Sequence, residues 1–180
     1  MNRRAFNQKL LLVGGGLLLG SSLVVAKNYL SAEQAMQTIW PGLKMTPFSV
    51  ELSEAEMKAI KKASKTRVRS QWVKGYRSID NQWLIIDQVV GKHEFIDLAI
   101  GLDAQGAVTG VEILTYRESY GDEVRNPKWQ AQFYGKDSSE VLLLDQHIKN
   151  ISGATMSCRH ITDGVNRLTQ TWALVLKNLA

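Results

Sequence analysis

Cysteine is almost missing from this chain: Cys158 is the single one in 180 residues. A lone thiol excludes an internal disulfide framework and leaves no Cys-based zinc site. The three histidines, His93, His147 and His160, show no ligand spacing, so no metal centre is expected. Neither a Gly-x-Gly-x-x-Gly nor a Walker sequence is present, which removes support for a Rossmann or P-loop nucleotide site. Acidic residues are also missing from the start, where none precedes Glu33.

That acid-free start holds Arg3, Arg4 and Lys9, followed by an apolar run from Leu10 to Ala26. A charged segment leading into an apolar one is the pattern of an export signal. Arg3-Arg4-Ala5-Phe6 resembles the twin-arginine signal. The alternative is an uncleaved anchor, since residues 10–26 reach the low end of the roughly 17–25 needed to cross a bilayer. Gly14, Gly15, Gly16 and Gly20 within the run suit a signal better. In both cases the rest of the chain is expected to face the periplasm. Losing those three cations lowers the formal charge from +5 to about +2. Lys58, Lys61, Lys62, Lys65, Arg67 and Arg69 form a local basic run without interleaved aromatics. It reads as a solvated helix face, or as a face for an acidic redox partner, and not as a nucleic-acid patch.

After residue 26, the pattern predicts an α+β domain: an antiparallel sheet with flanking helices. Residues 27–70 read as a helical N-terminal extension. Ser31 to Trp40 is an expected short helix ended by Pro41-Gly42, and Ser49 to Leu52 an expected short strand. Ser53-Glu54-Ala55-Glu56 is a capping-box sequence opening a second helix. Residues 71–180 read as the folded domain. Its strands are expected at Trp72–Tyr76, Gln82–Val90, Phe95–Leu102 and Val108–Thr115, the last two joined by a turn at Asp103–Gly106. Asn126-Pro127 opens a short helix through Phe133, with Trp129 expected in the core. Val141 to Leu144 is a further apolar segment. Ile161, Val165, Leu168, Trp172, Val175 and Leu179 recur at steps of four and three, which predicts a long C-terminal helix with one buried face. Asp163-Gly164 falls one turn inside it. Glycine there costs about 1 kcal/mol against alanine, so something is expected to pack closely against that turn.

Ser152-Gly153-Ala154-Thr155, then Met156-Ser157, stands where the apolar segment hands over to that helix. A small-residue elbow leaves backbone N–H groups unpaired at the positive end of the helix dipole, a ready phosphate site. Thr155 adds a hydroxyl at the same place, and Cys158 reads as a small packing residue. The residues alone define an anion site with an adjacent hydroxyl, or an ordinary helix N-cap.

The stretch resembles the S/T-G-A-T flavinylation motif of FMN-binding domain proteins, such as the C subunit of the sodium-pumping NADH:quinone reductase and the G subunit of the Rnf complex. Gly91-Lys92-His93, Leu114 to Gly121, Trp129 and Phe133 to Lys136 extend the similarity across residues 85–175. The resemblance implies FMN joined to Thr155 through a phosphodiester, attached by a flavin transferase that uses FAD. The family usually has Asp where this chain has Asn150. Asn keeps the hydrogen-bonding shape and loses the charge. The resemblance also implies that the segment after the last strand lies beside the flavin, which makes Tyr116, Arg117, Glu118 and Tyr120 candidates with Ser152, Gly153, Ala154, Thr155, Met156 and Ser157. The expected role is that of an electron carrier exchanging electrons with a membrane redox protein or a cytochrome. A non-covalent flavin-binding or assembly protein of the same fold is the alternative. A flavin-dependent reductase has no His/Asp/Glu constellation in its favour.

Overall fold

In the computed structural model, which describes residues 26–179, one six-stranded antiparallel sheet organises the chain. The expected signal or anchor lies outside the described residues, apart from Ala26. The strands are β1 (Lys27–Asn28), β2 (Met45–Glu51), β3 (Trp72–Ser78), β4 (Trp83–Val90), β5 (Phe95–Leu102) and β6 (Val108–Tyr116). Their order across the sheet is β1-β6-β5-β4-β3-β2. The helices are α1 (Ala32–Ile39), α2 (Glu54–Ser64), α3 (Pro127–Gln130) and α4 (Thr155–Leu174).

Strand alternation sorts the apolar residues onto two faces. Ile96, Leu98, Ile100 and Leu102 of β5 join Trp83, Ile85 and Val89 of β4 in the larger core. Ile161, Val165 and Leu168 of α4 close that core, along with Ile60 of α2. The intervening residues Leu84, Ala99 and Leu114 form a smaller core on the other face, covered by Ala35 and Met36 of α1. A Cβ placed on Gly164 would come within 2.8 Å of Val89. The close packing expected at that turn is therefore β4 against α4.

Residues 27–70 are not a helical extension. They supply both edge strands, α1 on one face and α2 on the other. The expected division at residue 70 is corrected accordingly. β1 is two residues long, and β2 is a seven-residue edge strand that accommodates Pro47 because an edge can spare a ladder donor. Neither has a strong strand pattern of its own. The apolar face of α1 finds its partners only through residues far along the chain. Val141 to Leu144 forms no strand beyond one bridge between Leu144 and Ile148. Instead, Asn166 of α4 accepts from the Leu142 N–H (2.8 Å) and donates to its carbonyl (2.9 Å). That pair ties the segment before the motif to the helix after it.

Candidate functional site

At the start of α4, Gly153 takes φ +88°, which L side chains rarely adopt, and a Cβ there would meet open space. The chain turns on a bond from the Ala154 N–H to the Ile151 carbonyl (3.0 Å) and enters the helix at Thr155. Cys158 makes the first helical bond, to the carbonyl of Ala154 (2.9 Å). The N–H groups of Thr155, Met156 and Ser157 precede it and have no helical partner. The cap residue is Ala154, and no side chain caps this end.

Tyr116, the last residue of β6, is fully buried. Its hydroxyl donates to the Tyr120 carbonyl (2.6 Å) and lies 2.8 Å from Ser157 Oγ. Because the phenol has one proton, Ser157 is the donor in the second bond. Burial pushes the Tyr116 phenol up to about 12, so it stays a neutral donor. These bonds fold the loop after β6 against the start of α4. The approach is close enough that a Cβ on Gly121, at φ +93°, would stand 2.7 Å from the Tyr116 hydroxyl and 3.3 Å from Ala154 Cβ.

The turn between β4 and β5 forms the facing wall. The buried Glu118 carboxylate accepts the backbone N–H groups of His93 (2.5 Å) and Glu94 (3.0 Å). His160, on α4, is bonded through Nδ1 to the Gly91 carbonyl (3.1 Å). Held from both sides, the turn presents Lys92 and His93 opposite Thr155. Between the walls lies a cleft of about 540 Å³, lined by Lys92, His93, Glu118, Ser119, Tyr120 and residues 153–157. That volume is within the usual range for small-molecule and cofactor sites. Tyr120 and Met156 are 85 % and 40 % exposed at its mouth, two apolar surfaces available to a ring system.

Asn150 Nδ2 donates to Thr155 Oγ1 (3.0 Å), which fixes the direction of the hydroxyl. Its Oδ1 is buried without a partner. Trp129, in the core, steadies the same segment by donating from Nε1 to the Lys149 carbonyl (2.7 Å). Cys158 is buried, and burial pushes its thiol up.

Of the residues singled out in the sequence, the fold brings Gly153, Ala154, Thr155, Met156, Ser157, Glu118 and Tyr120 to the cleft. Tyr116 stands behind it as a support. Ser152 is exposed and is not among the cleft-lining residues. Arg117 faces elsewhere: its guanidinium pairs with Asp97 (2.6 Å) and donates to the Phe95 carbonyl (3.2 Å). Strand alternation carried past Tyr116 accounts for this, because an inward Tyr116 sends its neighbour outward. Glu118 serves the β4–β5 turn through both its bonds. Lys92 and His93, named above only as part of the resemblance, join the cleft. Among the described residues, no cluster of three or more His, Cys, Asp or Glu could hold a metal.

An uncapped helix start opening on a ligand-sized cleft that Lys92 also lines has the chemistry to receive a phosphate-bearing ligand. Residues 91–170, from the Gly91 turn through most of α4, match the family model of the FMN-binding domain. Among solved structures the chain is similar to NqrC of Shewanella oneidensis, at 18 % identity over 78 % of this chain and 86 % of that one, with a TM-score of 0.49. A search of curated proteins found no match.

The residues present fit FMN. The open space before Gly153 and the unpaired N–H groups suit its phosphate. Lys92 supplies a cation, while Tyr120 and Met156 offer surface to the ring.

Proposed function

We propose that this protein is a periplasmic electron-transfer flavoprotein with FMN joined through a phosphodiester to Thr155. The observation that carries the reading is the Thr155 hydroxyl, at an uncapped helix start and inside the cleft, oriented by Asn150. Attachment by a flavin transferase would form a bond from Thr155 Oγ to the FMN phosphorus of FAD, with AMP leaving and the hydroxyl proton released. When bound, FMN supplies one- and two-electron chemistry. The chain's own residues do the holding. The N–H groups of residues 155–157 and Lys92 neutralise the phosphate, Tyr116 and Ser157 fix the loop behind it, and Tyr120 and Met156 cover the ring. A tether suits an exported carrier, because a dissociable flavin is lost by dilution wherever free flavin is scarce. The electron partner would be a membrane redox protein or a cytochrome.

The test is fluorescence of the denatured chain on a gel, after co-production with a flavin transferase. Fluorescence that stays with the wild-type chain and is lost in Thr155→Ala supports the reading. Flavin that leaves on denaturation, with the transferase active on a control, replaces it with the non-covalent alternative.

A further inference from the structure

The basic run at the end of α2 leaves cations without counter-charges. Lys58 pairs with Glu54, but among the described residues no carboxylate lies within ion-pair distance of Lys65, Arg67 or Arg69. These three line a shallow cleft of about 210 Å³ with His160, Asp163 and Arg167. Arg167 is already committed to Asp87, which leaves Asp163 as the only acid there. A neighbouring hollow of about 270 Å³ shares Arg69 and Arg167 and is bordered by Trp72 and Phe95. Those two rings are 46 % and 43 % exposed, and Trp72 is large for a solvent-facing residue.

This face is continuous with the flavin cleft. His160 lines the basic cleft and also bonds the Gly91 carbonyl at the foot of the turn that carries Lys92 and His93. Phe95 opens β5 directly after that turn. Unpaired cations around exposed aromatic rings are the composition of a protein interface, in which arginine and aromatic residues supply the anchors. Like charges placed together repel, and their use is to complement an opposite charge that arrives from outside.

We propose that this face, with Lys65, Arg67 and Arg69 beside the exposed rings of Trp72 and Phe95, docks an acidic electron-transfer protein beside the flavin. The proposal rests on the electron-carrier reading above. A small anion would satisfy the cations but leave both rings uncovered.

The experiment follows the oxidation of the reduced, flavin-loaded protein by an acidic cytochrome c, a basic cytochrome c and a neutral quinone, each across a salt series. The acidic cytochrome is expected to react about tenfold faster than the basic one at low salt and to lose that advantage as salt rises. Lys65→Glu/Arg67→Glu/Arg69→Glu is expected to abolish the preference, with the quinone rate unchanged. All three side chains are exposed, and a Lys65→Gln/Arg67→Gln/Arg69→Gln variant gives the same readout if the reversed one folds poorly. Equal rates for the two cytochromes, or a preference that survives the substitutions, overturns the proposal. So does a triple variant that loses only its binding to phosphatidylglycerol vesicles, which would make this a lipid face. If the chain takes up no flavin, the function proposed above fails on its own. Calorimetric titration of the flavin-free protein with the acidic cytochrome then decides docking separately: tight, salt-sensitive binding that the triple variant loses upholds it, and no binding ends it.

Discussion

The start of α4 differs from the starts of α1 and α2 in a way that separates structure from function. Ser31 and Ser53 each close a full capping box, with Gln34 and Glu56 returning to the cap N–H. Both helices are short, and a cap worth about 1 kcal/mol matters to them. α4, at 20 residues, begins at Ala154 with no side-chain cap. It can do without one, because burying Ile161, Val165 and Leu168 contributes about 1.5–3 kcal/mol each. The best-buried helix therefore has the freest N-terminus. Its first-turn N–H groups border a cleft and meet no side chain, whereas in α1 and α2 the cap serine takes the Gln34 or Glu56 N–H. A helix whose stability comes from its far turns leaves its first turn available for a ligand.

The sharpest way to break this comparison is Thr155→Ala. Complete loss of attached flavin is expected, with a stability change of about 1 kcal/mol, because one part-buried hydrogen bond is removed from a half-buried residue outside the core. Denaturant melts beside gel fluorescence check both halves.

Gly121→Ala comes next. The added Cβ would meet the Tyr116 hydroxyl at 2.7 Å, on a backbone at φ +93°. Left-handed strain and overpacking together are expected to cost about 2–4 kcal/mol and to lower flavin attachment with it. A melt close to wild type would show that the loop after β6 does not brace the helix start.

Ser53→Ala sharpens the contrast from the other side. It removes the α2 cap and is expected to cost about 1 kcal/mol while leaving flavin content unchanged. Any loss of flavin there would mean that capping and cofactor loading are not separate.

Much of this was legible in the sequence. The step of four and three in α4 and the alternation of β4, β5 and β6 follow from burial on one side, and they are local. Ser53 to Glu56 was legible for the same reason, as a four-residue hydrogen-bond circuit. The cleft's second wall was not. Lys92 and His93 face Thr155 only because Glu118 and His160, far along the chain, hold their turn. Arg117 reads as a flavin ligand when taken with its neighbours, and strand alternation removes it. Of the N-terminal strands, β2 was read only in its second half, at Ser49 to Leu52, and β1 was hidden because an edge strand of two residues carries no period at all.

Asn150→Asp has a smaller expected effect. Asn150 donates to Thr155, whereas a carboxylate would accept the hydroxyl proton and keep the same geometry. Attached flavin is expected to stay level or rise, read as the ratio of flavin absorbance to protein. A marked fall would show that the amide itself is required.

The smallest expected effect is that of Asp163→Asn. Burial holds the Asp163 carboxyl above its ordinary value, against the pull of His160, Arg159 and Arg167. A raised carboxyl favours the protonated form in the fold, so stability falls as pH rises from the unfolded value through the folded one. The amide is therefore expected to raise the melting temperature at pH 7 and to give no gain below pH of about 4. A gain that is the same at both values would trace the effect to packing and not to charge.

The central claim is that the free helix start holds a flavin on Thr155, and intact mass tests it most directly. The protein is produced with an active flavin transferase, denatured, freed of small molecules and weighed, then digested and mapped. The account predicts an added mass of FMN less one water, carried by the peptide that contains Thr155 and absent from Thr155→Ala. A wild-type chain of unmodified mass, made beside a control protein that the same transferase modifies in full, would contradict it.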